Sequence, residues 1–347
     1  MDQFQGRAAR FIENEHLRVV VLEGGGHIAA IIDKRSGVNP LWIPPWPSIE
    51  PSAFDASQAA VFGPAVDAKL LAGIMGHNLC LDMFGGPSVE EAAAGLTPHG
   101  EGSVAPYEIS VSNEGLSMSA LFPLAQIHFT RRLALRGRAV RIVESVESRC
   151  ARDRPIGWTQ HVTLGPPFLE RGITTFRASA TRSKVIEGSF SPADYLVPGA
   201  EFDWPHAPRI DGKTADLSVY NASAVSSAYT AQLLDPSAED AFFAAFSPSS
   251  RLIFGYVWRR EDFPWLGIWE ENCSRTHAPW NGRTLTRGME FGVSPFPERR
   301  RAMVERGRLF GVPTYRWLSA RGRAEVEYWA ILRPADTIPE RLERPRD

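Results

Sequence analysis

One glutamate interrupts an apolar, strand-like run toward the C-terminal end of the chain. The run extends from Arg287 to Pro297, reads RGMEFGVSPFP, and contains Glu290 as its only acidic residue. Because side chains alternate along a strand, Glu290 lies on the face opposite Met289 and Phe291 and points either to solvent or into a cavity. The strand pattern alone favours solvent, where a lone strand carboxylate usually lies.

Two histidines, distant in the chain, strengthen the functional interpretation of this carboxylate. His99 follows Leu96-Thr-Pro in a segment rich in turns and glycines, and His161 lies in the middle of the β-branched segment 157–165. Taken alone, a loop histidine is exposed and a mid-strand histidine is a buried structural residue. Together with a carboxylate, however, imidazoles can carry out general acid and base catalysis near neutral pH. The three side chains are therefore expected to share one cavity.

Strands separated by turns must position these residues, because apolar alternation dominates the chain. The pattern predicts strands at 17–22, 27–32, 107–112, 116–122, 127–135, 139–147, 157–165, 174–183, 216–219, 227–234, 241–246, 252–258, 265–270 and 325–332. Modest helices are predicted only at 89–95 and 297–309, and 44–64 is predicted as a long loop. The glycines at 24–26 precede a strand and lack the spacing of a phosphate-binding loop. One all-β domain over residues 1–347, with about twenty strands, is expected.

Composition excludes several classes of protein. The chain has 347 residues and a formal net charge of −2, which provides no broad field for nucleic acid or an anionic membrane. Its three cysteines, Cys80, Cys150 and Cys273, are far apart and lack the spacing of metal ligands or of a disulfide framework. The N-terminal residues are charged where a signal peptide would be apolar. We expect a soluble, cytoplasmic protein with no metal, nucleic-acid or membrane partner.

Four short motifs follow one another along the chain in an order that resembles that of a known family. Asp33-Lys-Arg-Ser-Gly closes the first hairpin, Leu96-Thr-Pro-His-Gly carries His99, Thr159-Gln-His-Val-Thr carries His161, and Gly288-Met-Glu-Phe-Gly-Val-Ser-Pro-Phe-Pro carries Glu290. This order resembles that of the aldose 1-epimerases, which belong to the galactose-mutarotase-like superfamily. The resemblance covers nearly the whole chain.

The resemblance implies a large antiparallel β-supersandwich with few short helices. It also implies an enzyme that interconverts the α and β anomers of a small sugar by opening and closing its ring, without any cofactor. Glu290 would be the general base, His161 the general acid for the ring oxygen, and His99 a hydrogen-bond donor to that oxygen.

The sugar-binding residues are less clear from the resemblance. The arginine that many members place before the first histidine has no equivalent here, and His77 and Asn78 occupy that neighbourhood. Asp203 is the candidate for the aspartate that binds sugar hydroxyls between the second histidine and the glutamate. Trp269 is assigned to the site because an indole can stack on a sugar ring. These gaps leave the sugar, free or phosphorylated, and the oligomeric state open.

Other functions remain possible at this point. A non-catalytic carbohydrate-binding or regulatory protein would have the same fold. A lyase or hydrolase would rely on paired carboxylates such as Glu270 and Glu271, although neighbouring strand residues point to opposite faces. The basic run 299–301 could bind a phosphosugar, but a charge run is usually a solvated face.

Overall fold

The computed structural model describes residues 2–345, and its main elements are two large antiparallel sheets of 12 and eight strands. In chain order the strands are β1 (Gln3–Phe4), β2 (Arg7–Glu13), β3 (Leu17–Leu22), β4 (Ile28–Asp33), β5 (His77–Asp82), β6 (Glu108–Ser112), β7 (Gly115–Phe122), β8 (Ile127–Arg136), β9 (Ala139–Ser148), β10 (Arg154–Leu164), β11 (Thr175–Ala178), β12 (Ala180–Val185), β13 (Glu201–Asp203), β14 (His206–Pro208), β15 (Thr214–Asp216), β16 (Ser226–Leu234), β17 (Asp240–Ser247), β18 (Leu252–Arg259), β19 (Trp265–Asn272), β20 (Leu285–Gly292), β21 (Arg308–Leu309), β22 (Val312–Pro313), β23 (Arg316–Leu318) and β24 (Arg323–Pro334).

The helices are short, as expected. They are α1 (Ala59–Phe62), α2 (Ala68–Gly73), α3 (Val89–Ala93) and α4 (Arg300–Arg306), with single turns of 3₁₀ helix at Pro51–Ala53, Ala56–Gln58 and Glu101–Ser103. Within residues 2–345, no helix combines the length and apolarity needed to cross a membrane.

The order of strands in the larger sheet brings together three distant parts of the chain. This sheet runs β1-β2-β3-β4-β5-β10-β20-β19-β16-β12-β13, and β23 also pairs with β10. The smaller sheet runs β11-β17-β18-β24-β9-β8-β7-β6. As a result, β10 lies between β5 and β20, so the strands that carry His161 and Glu290 are direct neighbours.

The hydrophobic core fills the space between the two sheets. Val162 of β10 and Met289 and Phe291 of β20 belong to it, and Phe291 stacks on Trp258 of the smaller sheet with 4.1 Å between ring centroids. Because side chains alternate, His161 and Glu290 lie on the outer face of the larger sheet. The predicted alternation around Glu290 is therefore confirmed.

Most predicted strands are present, but the prediction of one strand at 174–183 is wrong. The segment breaks at Ser179 into β11, which joins the smaller sheet, and β12, which joins the larger one. The Ser179 hydroxyl accepts a hydrogen bond from the backbone N–H of Phe242 at 3.0 Å, where the chain passes from one sheet to the other. The region 44–64, predicted as a loop, contains two 3₁₀ turns and α1.

A buried polar network joins the two sheets behind the outer face. The Glu144 carboxylate accepts hydrogen bonds from Arg131 Nε (2.7 Å), Tyr328 Oη (2.6 Å), Trp158 Nε1 (3.0 Å) and Gln160 Nε2 (2.7 Å). Arg131 and Glu144 have side chains that are 1% and 0% exposed, so the ion pair lies in a region from which water is excluded. Every donor around the carboxylate compensates part of the cost of burying it.

Glu144→Gln should destabilise the protein strongly, because it leaves the buried Arg131 guanidinium without its counter-charge. We expect the free energy of unfolding, measured by urea denaturation, to fall by about 3–5 kcal/mol. The matched control is Glu201→Gln, which removes the partner of Arg182 from a pair that is more than half exposed. That change should cost less than about 1 kcal/mol. Equal losses in the two variants would contradict a special role for the buried pair.

Candidate active site

His161 and Glu290 face each other across neighbouring strands. They are directly paired in the register of β10 and β20, and His161 Nε2 lies 3.1 Å from Glu290 Oε1. Their side chains are only 7% and 2% exposed. The strand order therefore places an imidazole and a carboxylate in hydrogen-bond contact within a site that is nearly shielded from bulk water.

A tight loop brings His99 to the same place. His99 and Gly100 both have positive φ angles, 71° and 75°. A Cβ atom at position 100 would overlap the carbonyl oxygen of Leu81, so the close approach of the loop to β5 requires glycine. The His99 carbonyl accepts a hydrogen bond from the Leu81 N–H at 3.2 Å. The rings of His99 and His161 are 4.8 Å apart, and His99 Nδ1 has no partner within residues 2–345.

Two glycines leave room for the Glu290 carboxylate. A Cβ atom at Gly288 would overlap Glu290 Oε1, and one at Gly267 would overlap the hydroxyl of Tyr229. Gly267 is the register partner of Glu290 on β19. The Tyr229 hydroxyl donates a hydrogen bond to the Pro295 carbonyl at 3.2 Å and also interacts with Glu290. The carboxylate is therefore held in a slot between small residues and a tyrosine.

The three side chains open into one cavity on the outer face of the larger sheet. Its volume is about 200 Å³, smaller than the ~300–1,000 Å³ common for drug-sized ligands, and it suits a molecule as small as one sugar ring. The wall includes His99, His161, Glu290, Phe84 and Trp269. The Trp269 ring lies 5.9 Å from the His161 ring. An indole face beside acid and base groups can hold the C–H face of a sugar.

Burial sets the proton distribution in the site. Burial raises the pKa of Glu290 to about 8, although the hydrogen bond from Tyr229 acts in the opposite direction. Burial also lowers the pKa of His161 to about 4 and holds that of His99 well below its ordinary value. Around neutral pH, the free protein therefore holds a protonated Glu290 beside a neutral His161. The sequence expectation was the reverse, because it used the pKa values of exposed groups.

The remaining predicted site residues divide into two groups. Trp269 lines the cavity, whereas His77, Asn78 and Asp203 do not. Contrary to the prediction, His77 points into the sandwich interior, where it contacts Tyr256 Oη at 3.0 Å and Gln160 Oε1 at 2.9 Å. The strand alternation that turns His161 outward turns His77 inward.

Asn78 and Asp203 lie outside the cavity for different reasons. Asn78 is on the outer face, in register with His161, but it is fully buried and accepts a hydrogen bond from Ser103 Oγ at 3.3 Å. Asp203 is exposed on β13, the edge strand of the larger sheet. Neither residue is placed to meet a ligand beside Glu290, so the prediction that they bind substrate finds no support in this geometry.

Sequence reasoning missed Asp67, Tyr229, Arg275 and Trp280, which also line the cavity. Asp67 and the last two lie in connections between elements, where no periodicity indicates which way a side chain points. Tyr229 lies on β16, where the alternation of side chains along the predicted strand could have indicated which way it points. The other carboxylate candidates have structural partners: Glu270 pairs with Arg287 at 3.2 Å, and Glu271 accepts hydrogen bonds from Ser274 N and Oγ, both at 2.7 Å.

The basic run at 299–301 also has partners outside the cavity. Arg300 pairs with Asp82 and Glu91 at 2.8 and 2.9 Å. Arg301, 88% exposed, pairs with Glu305 on the same helix, α4. The run is thus a set of surface and near-surface ion pairs, and none of its residues lines the cavity.

The ionisation of Glu290 should make stability depend on pH. Its ordinary pKa is 4.5 and burial raises it to about 8. Between these values the folded chain keeps a proton that the unfolded chain has lost, so the free energy of unfolding falls as pH rises. Glu290→Gln removes this titration. In urea denaturation, the free energy of unfolding of the variant should rise relative to that of the wild type by up to about 1.4 kcal/mol for each pH unit between the two pKa values. A difference that stays constant with pH would contradict burial as the cause of the shift.

Comparisons with known proteins identify the fold. No protein-family model and no curated sequence matches the chain. A candidate aldose 1-epimerase from Klebsiella pneumoniae superposes with a TM-score of 0.67 at 12% identity, over 97% of this chain and 82% of that one. A galactose mutarotase related enzyme from Lactobacillus acidophilus gives 0.60 at 13% identity, over 95% and 99% of the two chains. A galactose mutarotase-like protein from Clostridium acetobutylicum gives 0.60 at 13%, over 96% and 97%. The chain therefore has the galactose-mutarotase-like β-sandwich fold.

Proposed function

We propose that this protein is an aldose 1-epimerase, which interconverts the α and β anomers of an aldose. The observation that carries the proposal is the contact of 3.1 Å between His161 Nε2 and Glu290 Oε1 inside a small cavity. An acid and a base in contact can serve two oxygen atoms that are bonded to the same carbon, and the anomeric carbon of a cyclic sugar carries two such oxygens. Trp269, on the same wall, offers an apolar face to the sugar ring.

Ring opening then requires two proton transfers. The anomeric hydroxyl gives its proton to Glu290, the electrons of that O–H bond form the carbonyl, and the bond from the anomeric carbon to the ring oxygen breaks. The ring oxygen takes a proton from His161. Rotation about the bond between the first two carbons turns the aldehyde over, and the reverse transfers close the other anomer. No atom is gained or lost.

The proton content of the buried pair fits this cycle. The resting pair is a protonated Glu290 beside a neutral His161, so a proton must first pass from Glu290 to His161 across their 3.1 Å contact; ring opening then returns the pair to the uncharged state. The pair holds one proton in both states. Burial favours the uncharged state, so the charged pair that opens the ring is the minor form. His99 stays neutral because burial holds its pKa well below the ordinary value. It supplies a hydrogen bond to the ring oxygen and no proton.

Glu290→Gln should lower kcat for anomer exchange by about 10²–10⁴-fold, because an amide cannot accept the proton. Exchange NMR or polarimetry with a panel of free and phosphorylated aldoses would measure it, and Arg301→Gln, a change on the exposed surface, is the matched control. Full activity of the glutamine variant would refute the role of Glu290. Saturable sugar binding by the wild type without faster anomer exchange would instead identify a non-catalytic carbohydrate-binding protein.

The pair should also set the pH dependence of the reaction. With pKa values of about 4 for His161 and about 8 for Glu290, the pair carries one proton between these limits. At higher pH the pair has lost its proton and cannot act as an acid. At lower pH both groups are protonated and neither can act as a base. We expect kcat/KM to be level in the range and to fall about tenfold per pH unit beyond each limit. Rates from pH 4 to 10, corrected for buffer catalysis, test this; a profile with no limb near pH 8 would contradict it.

A further inference from the structure

Polar groups with unused hydrogen-bonding atoms line the cavity beyond Trp269. The Trp269 ring lies 5.9 Å from His161 on one side and 6.1 Å from Trp280 on the other. Arg275 lies beside Trp280, and Asp67, whose charge acts on Arg275, also lines the cavity. A ligand that presents its reacting carbon to His161 and extends across Trp269 would therefore meet Trp280, Arg275 and Asp67.

Arg275 is held in place by aromatic rings and has donors to spare. Its guanidinium carbon lies 4.7 Å from the centre of the Trp280 ring and 5.5 Å from that of Trp269. Its ion-pair partner among residues 2–345 is Glu271, at 3.4 Å from Nε. Glu271 is itself bound to the turn at Ser274. The terminal nitrogens of Arg275 donate no hydrogen bond to the described chain, so the guanidinium is positioned and its outer donors are available to a ligand.

Asp67 and Trp280 complete the set. Asp67 precedes α2 but does not cap it with its side chain, and it forms no ion pair or side-chain hydrogen bond within residues 2–345. Its charge acts on Arg275, with which it forms no ion pair. Trp280 is 2% exposed, and its Nε1 has no partner among the described residues. Its ring is fixed by Trp42, stacked at 6.3 Å, and by Trp46 at 5.1 Å. A buried N–H donor without a partner is costly unless a ligand or water binds it.

We propose that Asp67, Arg275 and Trp280 bind adjacent hydroxyl groups of an uncharged sugar, and this inference rests on the proposed function of the same cavity. Each hydroxyl both donates and accepts a hydrogen bond. A pair of neighbouring hydroxyls can therefore donate to the Asp67 carboxylate and accept from the guanidinium and the indole.

The charges around Arg275 define the substrate class further. Besides Asp67, the carboxylates of Glu271 and Asp194 act on it, so three negative charges surround one positive charge. A phosphate group would add negative charge to an excess of the same sign. The cavity is thus suited to a free aldose and not to its phosphate ester.

The test compares Asp67→Asn and Arg275→Gln with the wild type in anomer exchange of a free aldose and its monodeoxy analogues. Loss of a charge-assisted hydrogen bond should raise KM by about 10- to 100-fold, and Trp280→Phe by about 3- to 10-fold. For one hydroxyl position, its removal should raise KM for the wild type but cause no further rise in the Asp67→Asn variant. Asp211→Asn, on the exposed loop after β14, is the control. Asp67→Asn breaks no hydrogen bond of the fold, so it should unfold at the wild-type temperature.

An unchanged KM in both charge variants would overturn the inference. So would an equal rise in KM, on removal of each sugar hydroxyl, in the wild type and in all variants. Preference of the wild type for an aldose 6-phosphate over the free aldose would overturn the part on substrate class. If the wild type does not exchange anomers at all, the proposed function fails, and titration calorimetry with the free aldose decides the inference separately. Binding that weakens at least tenfold in both variants would support it, and binding that is equal or absent would refute it.

Discussion

The register of β10 is the constraint on which the site and the fold both depend. His161 points outward to the cavity, while the preceding residue, Gln160, points inward and donates to the Glu144 carboxylate at 2.7 Å. A shift of one residue would turn the imidazole into the core and the amide into the cavity. The network around Glu144 and Arg131 therefore does more than fill the interior. It fixes which face of β10 lines the cavity.

Burial has opposite consequences on the two sides of this strand. On the inner side, a guanidinium and three neutral donors surround the Glu144 carboxylate. On the outer side, no Lys or Arg among residues 2–345 pairs with Glu290, and burial raises the pKa of its carboxyl to about 8. The first arrangement holds the sheets together, while the second keeps a protonated carboxyl within 3.1 Å of His161 Nε2. A buried carboxyl group thus serves the structure or the proposed catalysis according to its partners.

Period-two alternation, a local signal, allowed an all-β fold to be predicted, and the resemblance of the ordered motifs to those of a known family implied the sandwich and the convergence of His99, His161 and Glu290. The sequence could not supply what depends on three-dimensional context. His77 was placed near the sugar from its neighbourhood in the chain, although alternation turns it into the core. Arg275 lies in the connection between β19 and β20, where no periodic pattern indicates which way a side chain points. The protonation of Glu290 follows from burial, which composition does not reveal.

The glycines beside the Glu290 carboxylate have a consequence for tracing divergent relatives. A Cβ atom at position 288 would strike the carboxylate, and one at position 267 would strike the tyrosine hydroxyl that supports it. A homologue that retains the glutamate in this orientation must therefore retain minimal side chains at both places, two residues before the glutamate and at its cross-strand partner. At identities of 12–13%, whole-chain sequence alignment no longer identifies equivalent residues reliably. Glycine at both positions would then distinguish a homologue better than the functional groups themselves.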